Sequence, residues 1–451
     1  MLSPAFSTRT FQFDLDASAL PIVRKGRRRE GRSTPGSIPS PIRFKERSTT
    51  QKKLVSKQNS LRCAAAWYRP MIERVTQKRS APSHWGRTKT QYPSAINADA
   101  TVHIPQKKEI QTKLLRWFKK NGRDLPWRKT TNPYAIWVSE IMLQQTQVST
   151  VIPYYQKFLK AFPTVRHLAT TNLPNVLKVW EGLGYYTRAR NLHRASQIVS
   201  HRFRGMIPPD LKDLLSLPGI GRSTAGAILS FAFHKDAPIL DGNAKRVISR
   251  LFAVSDNRTA GKTDGRLWRI SESLVPAGYS YPFNQGLMDL GSMLCTVKEP
   301  DCERCPLHKV CKARSLGKPE SYPSKRIRKT IPHVESVAAV IKNDGKVLLR
   351  QRPPSGLLGA LWEFPNWTIK DKKGSRLRLR LRNHIKKDIE ITANVKEFIG
   401  TFKQTFSHFK LTLHTYHCQS KNGKGKGKWV AIKNLHLLPM SRIDRRIADV
   451  I

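Results

Sequence analysis

Acidic residues are scarce in this chain. Its 451 residues include 31 Asp and Glu against 82 Lys and Arg, and the formal net charge at pH 7 is +51. That imbalance lies far outside the range of an ordinary enzyme, and a surface so basic attracts polyanions. The composition therefore predicts nucleic acid as the principal partner.

Long apolar runs are missing as well. The longest stretches without a charged residue are short, and one of them, Ser273–Met288, contains Pro, Gly, Tyr, Asn and Gln. A membrane-spanning helix needs about 20 consecutive, mainly apolar residues. The sequence therefore predicts no such helix and no membrane partner.

Cysteine is rare, and its few positions are crowded. Four of the six cysteines fall within 17 residues in a C-x6-C-x2-C-x5-C arrangement, namely Cys295, Cys302, Cys305 and Cys311. Disulfide bonds would not need such crowding, and a large basic chain is not a typical disulfide scaffold. Four thiolates on a compact loop can bind zinc or a [4Fe–4S] cluster, and the spacing alone leaves both open. Cys63 and Cys418 are interpreted as incidental thiols.

Residues 1–104 form a basic extension that we expect to be disordered. Residues 1–100 hold 20 Lys and Arg against 6 Asp and Glu, with much Ser and Pro and little apolar periodicity. That composition does not support a packed core. Three interpretations stay open: a nucleic-acid-binding tail, an Arg- and Ser-rich transit peptide, or a mis-assigned start codon.

The remainder of the chain divides into two patterns. Apolar residues recur at helical spacing from "KKEIQTKLLRWFKK" onward, which predicts an all-α domain over residues 105–314. Residues 315–332 form a short basic linker with three prolines. Residues 333–451 are predicted to be an α+β domain with a mainly antiparallel sheet, because "NDG" indicates a type I′ hairpin and "FKLTLHTYHC" indicates a strand.

The segment "LLSLPGIGRSTAGAILSFA" predicts two helices joined by a glycine-containing turn. Gly219 and Gly221 allow a tight turn and expose amide groups ahead of the second helix, which is a favourable site for a phosphate. Further on, Asp241 precedes a helix with Leu251 and Phe252 on its apolar face. Taken alone, this aspartate is predicted to be a helix N-cap.

One acid stands in apolar surroundings. In "WVSEIMLQQTQV", the neighbours of Glu140 at helical spacing are Ile136, Trp137, Leu143 and Gln144, and the stretch contains no cation. Burial disfavours the charged form of a carboxyl and predicts a raised pKa for Glu140. The alternative is a charged residue in a core helix, which would require a buried cation nearby.

Taken together, these motifs resemble the MutY family of adenine DNA glycosylases. The matching stretches are "LPWR", "NPYAIWVSEIMLQQTQV", "VWEGLGYYTRARNLH", "LPGIGRSTAGAILS", "LDGNAKRV", "FNQGLMDLG" and the cysteine loop. The resemblance implies a multidomain protein: an all-α helix-hairpin-helix glycosylase domain with an iron–sulfur cluster loop, and an α+β Nudix-like C-terminal domain. It also implies base excision repair of duplex DNA that contains adenine opposite 8-oxoguanine or guanine.

The cysteine loop resembles that of the endonuclease III and MutY families, which carry a [4Fe–4S] cluster. The four clustered cysteines would then bind this cofactor, and Lys298 and Arg304 would contact DNA phosphates. The resemblance assigns a further backbone contact to the helix-hairpin-helix residues Leu217, Gly219 and Gly221.

The resemblance also assigns the chemistry. Glu140 would protonate the adenine, Asp241 would stay ionised to stabilise a cationic sugar, and Asn243 would orient that aspartate. The adenine would have to leave the base stack to reach them. The pocket for the base is assigned to Trp127, Arg128 and Leu143. The wedges, side chains that enter the duplex where the base leaves, are assigned to Gln145 and Tyr185.

Two positions bear on lyase chemistry. The main alternative family is endonuclease III, whose lyase reaction uses a lysine that forms a Schiff base. This chain has Ser223 at that position, and it has Glu140, which that family lacks. The resemblance therefore implies a monofunctional hydrolase in which Ser223 offers a hydroxyl near Asp241. Lys245 invites a second lyase interpretation, although a contact to phosphate or to the abasic product is favoured.

In the C-terminal domain, "TFSHFKL" resembles the family loop that recognises 8-oxoguanine, which assigns that role to Phe406, Ser407 and His408. A working Nudix hydrolase needs a Glu-rich segment to hold Mg²⁺. The corresponding region reads "RLRLRLRNHIKKDIEI" and is basic. We therefore expect a recognition domain without pyrophosphatase activity.

The linker lacks the metal-binding cysteines of animal relatives, so the resemblance favours a bacterial-type, cytoplasmic protein at the nucleoid. In a eukaryote, the nucleus or the mitochondrion would be expected instead. We expect a monomer. The competing class is a DNA-binding protein without catalytic activity, and the presence of both Glu140 and Asp241 argues against it.

Overall fold

The computed structural model describes residues 103–255, 260–324, 330–369, 374–420 and 425–451. They all belong to one compact unit that spans Ser94–Ile451. The predictions for the N-terminal extension and for Cys63 fall outside the described residues.

Before residue 333, the described regular elements are all helical. They are α1 (Lys107–Asn121), α2 (Pro133–Leu143), α3 (Val148–Ala161), α4 (Val165–Thr170), α5 (Leu173–Val179), α6 (Thr187–Arg202), α7 (Leu211–Leu215), α8 (Arg222–Phe233), α9 (Gly242–Leu251), α10 (Ala260–Leu274), α11 (Ser280–Met293) and α12 (Lys312–Ser315), with short 3₁₀ turns at Pro126–Arg128, His308–Val310 and Pro319–Ser321.

Helix α2 is buried almost along its whole length. Its first turn is fixed by Asn132, whose side-chain oxygen accepts hydrogen bonds from the backbone N–H of Tyr134 and Ala135, and by Pro133 at the first helical position. The helix is apolar on nearly all sides, which suits a position inside a core.

Two apolar clusters hold the helices together. One packs α2 against α3 around the fully buried Trp137 and Phe158. The other packs α1, α9 and α11 around Leu114 and Phe283. Since Ile136 of α2 faces the second cluster, α2 lies between both. Densely packed interiors have low compressibility, so α2 and α9 form a rigid support.

The predicted helix–turn–helix is confirmed by α7 and α8. Gly219 has a φ of 85°, and a Cβ there would lie 2.9 Å from Cβ of Asn191. Leu217 is buried beneath the turn, and Gly221 is the N-cap of α8, with no side chain to cap it. The start of α8 therefore follows a tight turn and has no side-chain cap.

The C-terminal part contains β1 (His333–Asn343), β2 (Lys346–Gln351), β3 (Trp362–Glu363), β4 (Asn366–Thr368), β5 (Ala393–Thr405), β6 (Lys410–Ser420) and β7 (Lys428–Ala431), with helices α13 (Gly374–His384) and α14 (Arg442–Ala448). The strand order is β3-β2-β1-β6-β5, with β4 paired to β1 and β7 to β2. The β1–β6 pair is parallel and the other strand pairs are antiparallel.

The predicted hairpin and strand are both confirmed. Asp344 and Gly345 have φ values of 46° and 68° between β1 and β2, as a type I′ turn requires. "FKLTLHTYHC" forms β6. Helix α13 packs on one face of the sheet through Leu377 and Leu381, and α14 packs on the other through Ile443 and Ile447. The predicted fold class is therefore confirmed, while the exact domain boundaries stay a prediction.

None of the helices in the described part of the chain combines the length and the apolar character needed to cross a membrane.

Candidate active site

Glu140 and Asp241 line the same cavity, which has a volume of about 340 Å³ and is called the carboxylate cavity below. Glu140 comes from α2, and Asp241 precedes α9, so two distant segments supply the two acids. The predicted base-pocket residues also line this cavity, as does Asn243. These pocket residues are Trp127, Arg128 and Leu143.

The carboxyl of Glu140 lies deep in the protein, although the residue keeps partial contact with the cavity. Burial raises the pKa of Glu140 to about 8, the negative charge of Asp241 adds to the rise, and Arg128 opposes it. Glu140 therefore holds a proton at neutral pH. The predicted direction of this pKa shift is confirmed, but the sequence did not reveal the cation, which lies outside the stretch around Glu140.

Asp241 caps α9, as predicted. One carboxylate oxygen accepts a 2.8 Å hydrogen bond from Ala244 N–H, and the other accepts a 3.2 Å bond from Nδ2 of Asn243. Burial raises the pKa of Asp241, whereas these hydrogen bonds and the charge of Arg246 oppose the rise. Among the described residues, no comparable set of donors faces Glu140, so the negative charge of the pair is best accommodated on Asp241.

The guanidinium of Arg128 forms a bidentate ion pair with a buried acid, Asp289. Nη1 and Nη2 donate to the two carboxylate oxygens at 2.8 and 2.9 Å, and Nε donates to Oε1 of Gln285 at 2.8 Å. Burial alone would raise the pKa of Asp289, but Arg128 and Arg123 bring it below its usual value. Sequence reasoning missed this arrangement because Arg128 and Asp289 are 161 residues apart. "LPWR" and "FNQGLMDLG" contained both residues without indicating their contact.

Ser223 and Lys245 are not among the residues that line the carboxylate cavity. The hydroxyl of Ser223 accepts a 3.1 Å hydrogen bond from Leu240 N–H, one residue before Asp241. Lys245 pairs with Asp264 of α10. Ser223 thus contacts the segment that leads to Asp241, and the ammonium of Lys245 already has an acidic partner.

A second cavity, of about 420 Å³, lies between the helical part and the C-terminal part, and we call it the Tyr185 cavity. It brings Tyr185 together with the three predicted recognition residues Phe406, Ser407 and His408. Tyr185 is 47% exposed and has a φ of 47°. Gln145, the other predicted wedge, has a φ of 57° and is exposed, but it does not line this cavity.

The loop at the end of β5 contributes aromatic rings and hydroxyl groups to the Tyr185 cavity. Phe406 stacks on Phe409 with ring centroids 4.7 Å apart, and Phe406 N–H donates to the carbonyl of Phe409 at 2.8 Å. Ser407 and His408 are exposed, with 3.4 Å between Oγ and Nδ1. Their polar groups can therefore reach a partner that enters the cavity.

The helical and C-terminal parts are joined beside Tyr185 by contacts that the sequence did not predict. Glu181 accepts a 2.7 Å hydrogen bond from Nε of Arg445. The hydroxyl of Tyr186 donates to the carbonyl of Met440 at 3.1 Å. The loop that carries Tyr185 is therefore supported from the C-terminal part.

The four clustered cysteines line one small cavity together with Arg250 and Arg314. Nη1 of Arg250 lies 3.3 Å from the sulfur of Cys295. Among the described residues, no group of three or more His, Cys, Asp or Glu side chains converges in a way that could hold a metal ion. Four cysteine thiolates are the donor set of a [4Fe–4S] cluster, and the same donor set also binds zinc. The donor set and the shared cavity fit a cluster. Lys298 and Arg304, the predicted phosphate contacts beside it, are exposed.

Comparison with known families defines the class of protein. A model of the HhH-GPD superfamily of base excision DNA repair proteins matches residues 138–273, and a model of the NUDIX domain matches residues 336–450. A solved structure of a thermostable thymine-DNA glycosylase is similar to 47% of this chain and 97% of its own, with 31% identity and a TM-score of 0.43. By the two family models, the chain combines an HhH-GPD domain of base excision DNA repair proteins with a C-terminal Nudix domain.

Individual relatives define the family. The adenine DNA glycosylase of Buchnera aphidicola subsp. Acyrthosiphon pisum (strain APS) is 37% identical over 343 residues, which cover 74% of this chain and 95% of the relative. The adenine DNA glycosylase of Homo sapiens is 34% identical over 357 residues, covering 67% of this chain and 65% of the relative. The chain belongs to the adenine DNA glycosylase family.

Proposed function

We propose that this glycosylase removes adenine opposite 8-oxoguanine or guanine in duplex DNA by acid-catalysed hydrolysis of the N-glycosidic bond. The observation that carries the proposal is the pair of carboxyls in one cavity with different environments. Glu140 is held protonated by burial, whereas Asp241 receives hydrogen bonds that favour its anion. Glycoside hydrolysis requires such a pair.

The reaction begins when the target adenine leaves the base stack, because the cavity cannot reach the glycosidic bond within a duplex. Gln145 and Tyr185 fill the space that the base leaves. Both are exposed residues with left-handed backbone conformations, and non-glycine residues in this strained region cluster at functional sites. The flipped adenine then enters the carboxylate cavity beside Trp127 and Leu143.

Adenine leaves poorly as an anion. Glu140 therefore transfers its proton to a ring nitrogen of the base, and the base can then leave as neutral adenine. The bond to the sugar breaks and leaves an oxocarbenium-like cation, which the carboxylate of Asp241 stabilises. Asn243 holds that carboxylate at 3.2 Å. Water then adds to the sugar and gives one proton to the carboxylate of Glu140, which restores the acid; the products are free adenine and an abasic site.

The lining of the carboxylate cavity supports a monofunctional enzyme. Among the described residues that line it, none is a lysine that could form a Schiff base with the sugar. Lys245 lies on α9 but pairs with Asp264. Ser223 instead positions the segment before Asp241 through its bond to Leu240.

The Tyr185 cavity is the proposed site for recognition of the base opposite adenine. Ser407 and His408 supply donors and acceptors there, and Phe406 and Tyr185 supply faces for stacking. The basic segment of α13 in place of a Glu-rich box supports recognition without pyrophosphatase activity.

We further propose that the four clustered cysteines hold a [4Fe–4S] cluster. Their shared cavity and the neighbouring arginines support this assignment. The cluster would make the loop that exposes Lys298 and Arg304 rigid, so that both cations could contact DNA phosphates.

Incubation with a labelled duplex that contains adenine opposite 8-oxoguanine tests the proposal. We expect strand breaks only after alkali treatment, because a monofunctional glycosylase leaves an intact abasic site. Breaks without alkali would indicate a lyase. Binding without any breaks would indicate a protein that only recognises DNA, and either result would overturn the proposal.

A further inference from the structure

One buried arginine contacts both segments that carry the proposed wedges Gln145 and Tyr185. Arg188 lies in the first turn of α6 and is 8% exposed. Burial lowers the pKa of its guanidinium to about 10, so the group remains a cation at neutral pH. The oxygens within hydrogen-bond distance of it are neutral, so the cation is directed at backbone carbonyls and a hydroxyl.

One set of partners belongs to the end of α2. Nη1 of Arg188 donates to the carbonyls of Ile141, Met142 and Gln144 at 3.1, 2.6 and 2.6 Å. These carbonyls lie where a helix leaves its last groups without intrahelical partners, and a cation is favoured there by the helix dipole. Arg188 therefore caps the helix that carries Glu140 and fixes the residue just before Gln145.

The second set belongs to the neighbouring loops. Nη2 of Arg188 lies 3.0 Å from Oγ1 of Thr146, just after Gln145, and 3.3 Å from each of the carbonyls of Leu183 and Gly184, just before Tyr185. One guanidinium thus bonds to the residues on both sides of Gln145 and to the two residues that precede Tyr185.

The guanidinium also supports the ring of Tyr185. Cζ of Arg188 lies 5.4 Å from the centroid of that ring and 5.5 Å from the centroid of Trp180. Cation–π contacts contribute about 0.5–2 kcal/mol, depending on burial. Non-glycine residues in the left-handed region persist only where their surroundings hold them. Arg188 supplies such surroundings for both Gln145 and Tyr185.

We propose that Arg188 is the positioning residue that holds Gln145 and Tyr185 at a fixed separation, so that both enter the duplex together when the adenine leaves the stack. This inference rests on the proposed function, and Arg188 acts without touching the reacting atoms. Its planar fork of donors matches carbonyls from two segments, whereas the ammonium of lysine offers a compact group with three donors.

The test uses Arg188→Lys and a duplex in which fluorescent 2-aminopurine replaces the target adenine, so that emission rises when the base leaves the stack. We expect Arg188→Lys still to bind the duplex, with a Kd raised no more than in Tyr185→Ala, and the measurements are made at duplex-saturating protein concentrations. The rise in emission should be lost. Single-turnover excision of adenine should fall about 10²-fold, because small displacements of reacting groups cost about this much in rate. Arg194→Lys, an exposed residue of the same helix, is the matched control.

A second variant separates positioning from a loss of folding. Arg188→Ala should regain excision when guanidinium ion is added at concentrations well below those that unfold proteins, and sodium chloride at the same ionic strength should give no recovery. Unchanged 2-aminopurine emission in Arg188→Lys, or the absence of guanidinium rescue in Arg188→Ala, would overturn the inference. If the unchanged protein released no adenine at all, the proposed function would fail instead.

Discussion

The carboxylate cavity lies within the helical part and is lined by partly buried charged groups, which include Glu140, Asp241 and Arg128. The Tyr185 cavity lies between two parts of the chain, and its lining includes the exposed side chains of Tyr185, Ser407 and His408. Charges interact strongly where water is excluded, and weakly where solvent screens them. Chemistry in the first cavity should therefore depend steeply on single groups. Recognition in the second should be divided among several contacts of modest strength.

Replacement of Glu140 by Gln should have the largest effect, because it removes the only proposed proton donor while keeping the shape of the side chain. We expect single-turnover excision to fall about 10²–10⁴-fold, with binding to the mispair largely intact. Adenine release and fluorescence anisotropy measure the two quantities. Glu109→Gln, on the surface of α1, is the control. Full excision by Glu140→Gln would remove Glu140 from the mechanism.

The same variant should gain stability at alkaline pH. The pKa of Glu140 is about 8 in the folded protein and 4.5 ordinarily, so the unfolded chain releases this proton first. Wild-type stability therefore falls as the pH rises from 4.5 through 8, and Gln has no such dependence. We expect Glu140→Gln to raise the free energy of unfolding at pH 8 by on the order of a few kcal/mol. Equal or lower stability in thermal melts at pH 8 would contradict the assigned environment.

In the Tyr185 cavity, Tyr185→Ala should have an intermediate effect. Stacking of an aromatic side chain on a base contributes about 1–3 kcal/mol, so binding to the mispair should weaken accordingly. Tyr185→Phe keeps the ring and should bind nearly as the unchanged protein does. Titration of a labelled duplex measures the Kd of each variant. Equal losses of affinity in both variants would assign the effect to the hydroxyl group.

The smallest effect is expected from Ser407→Ala and His408→Ala. A net hydrogen bond contributes about 0.5–1.5 kcal/mol, so each change should reduce the preference for 8-oxoguanine over guanine by about ten-fold or less. The ratio of excision rates on the two duplexes measures this preference. His436→Ala, an exposed histidine elsewhere in the C-terminal part, is the control. Equal losses on both duplexes would make the loop structural.

The difference between the cavities also explains what the sequence could predict. The turn at Gly219, the cap at Asp241 and the turn at Asp344 depend on neighbouring residues, so local patterns were sufficient. The raised pKa of Glu140 followed from its apolar neighbours in α2. These features account for both acids of the carboxylate cavity.

Features that depend on distant contacts were not predictable from one sequence. Arg128 meets Asp289 across 161 residues, and Arg445 meets Glu181 across 264. The parallel pairing of β1 with β6 likewise joins remote segments. "RLRLRLR" alternates like a strand, yet it lies in α13 because Leu377 and Leu381, four residues apart, both face the core.

The most direct test of the central claim, that Glu140 is the proton donor, is the single-turnover rate of adenine excision as a function of pH. Glu140 is protonated below its pKa of about 8. The rate should therefore fall above about pH 8, approaching a ten-fold loss per pH unit, and Glu140→Gln should lack this decline. A wild-type rate that stays constant through this range, or an equal decline in Glu140→Gln, would contradict the account.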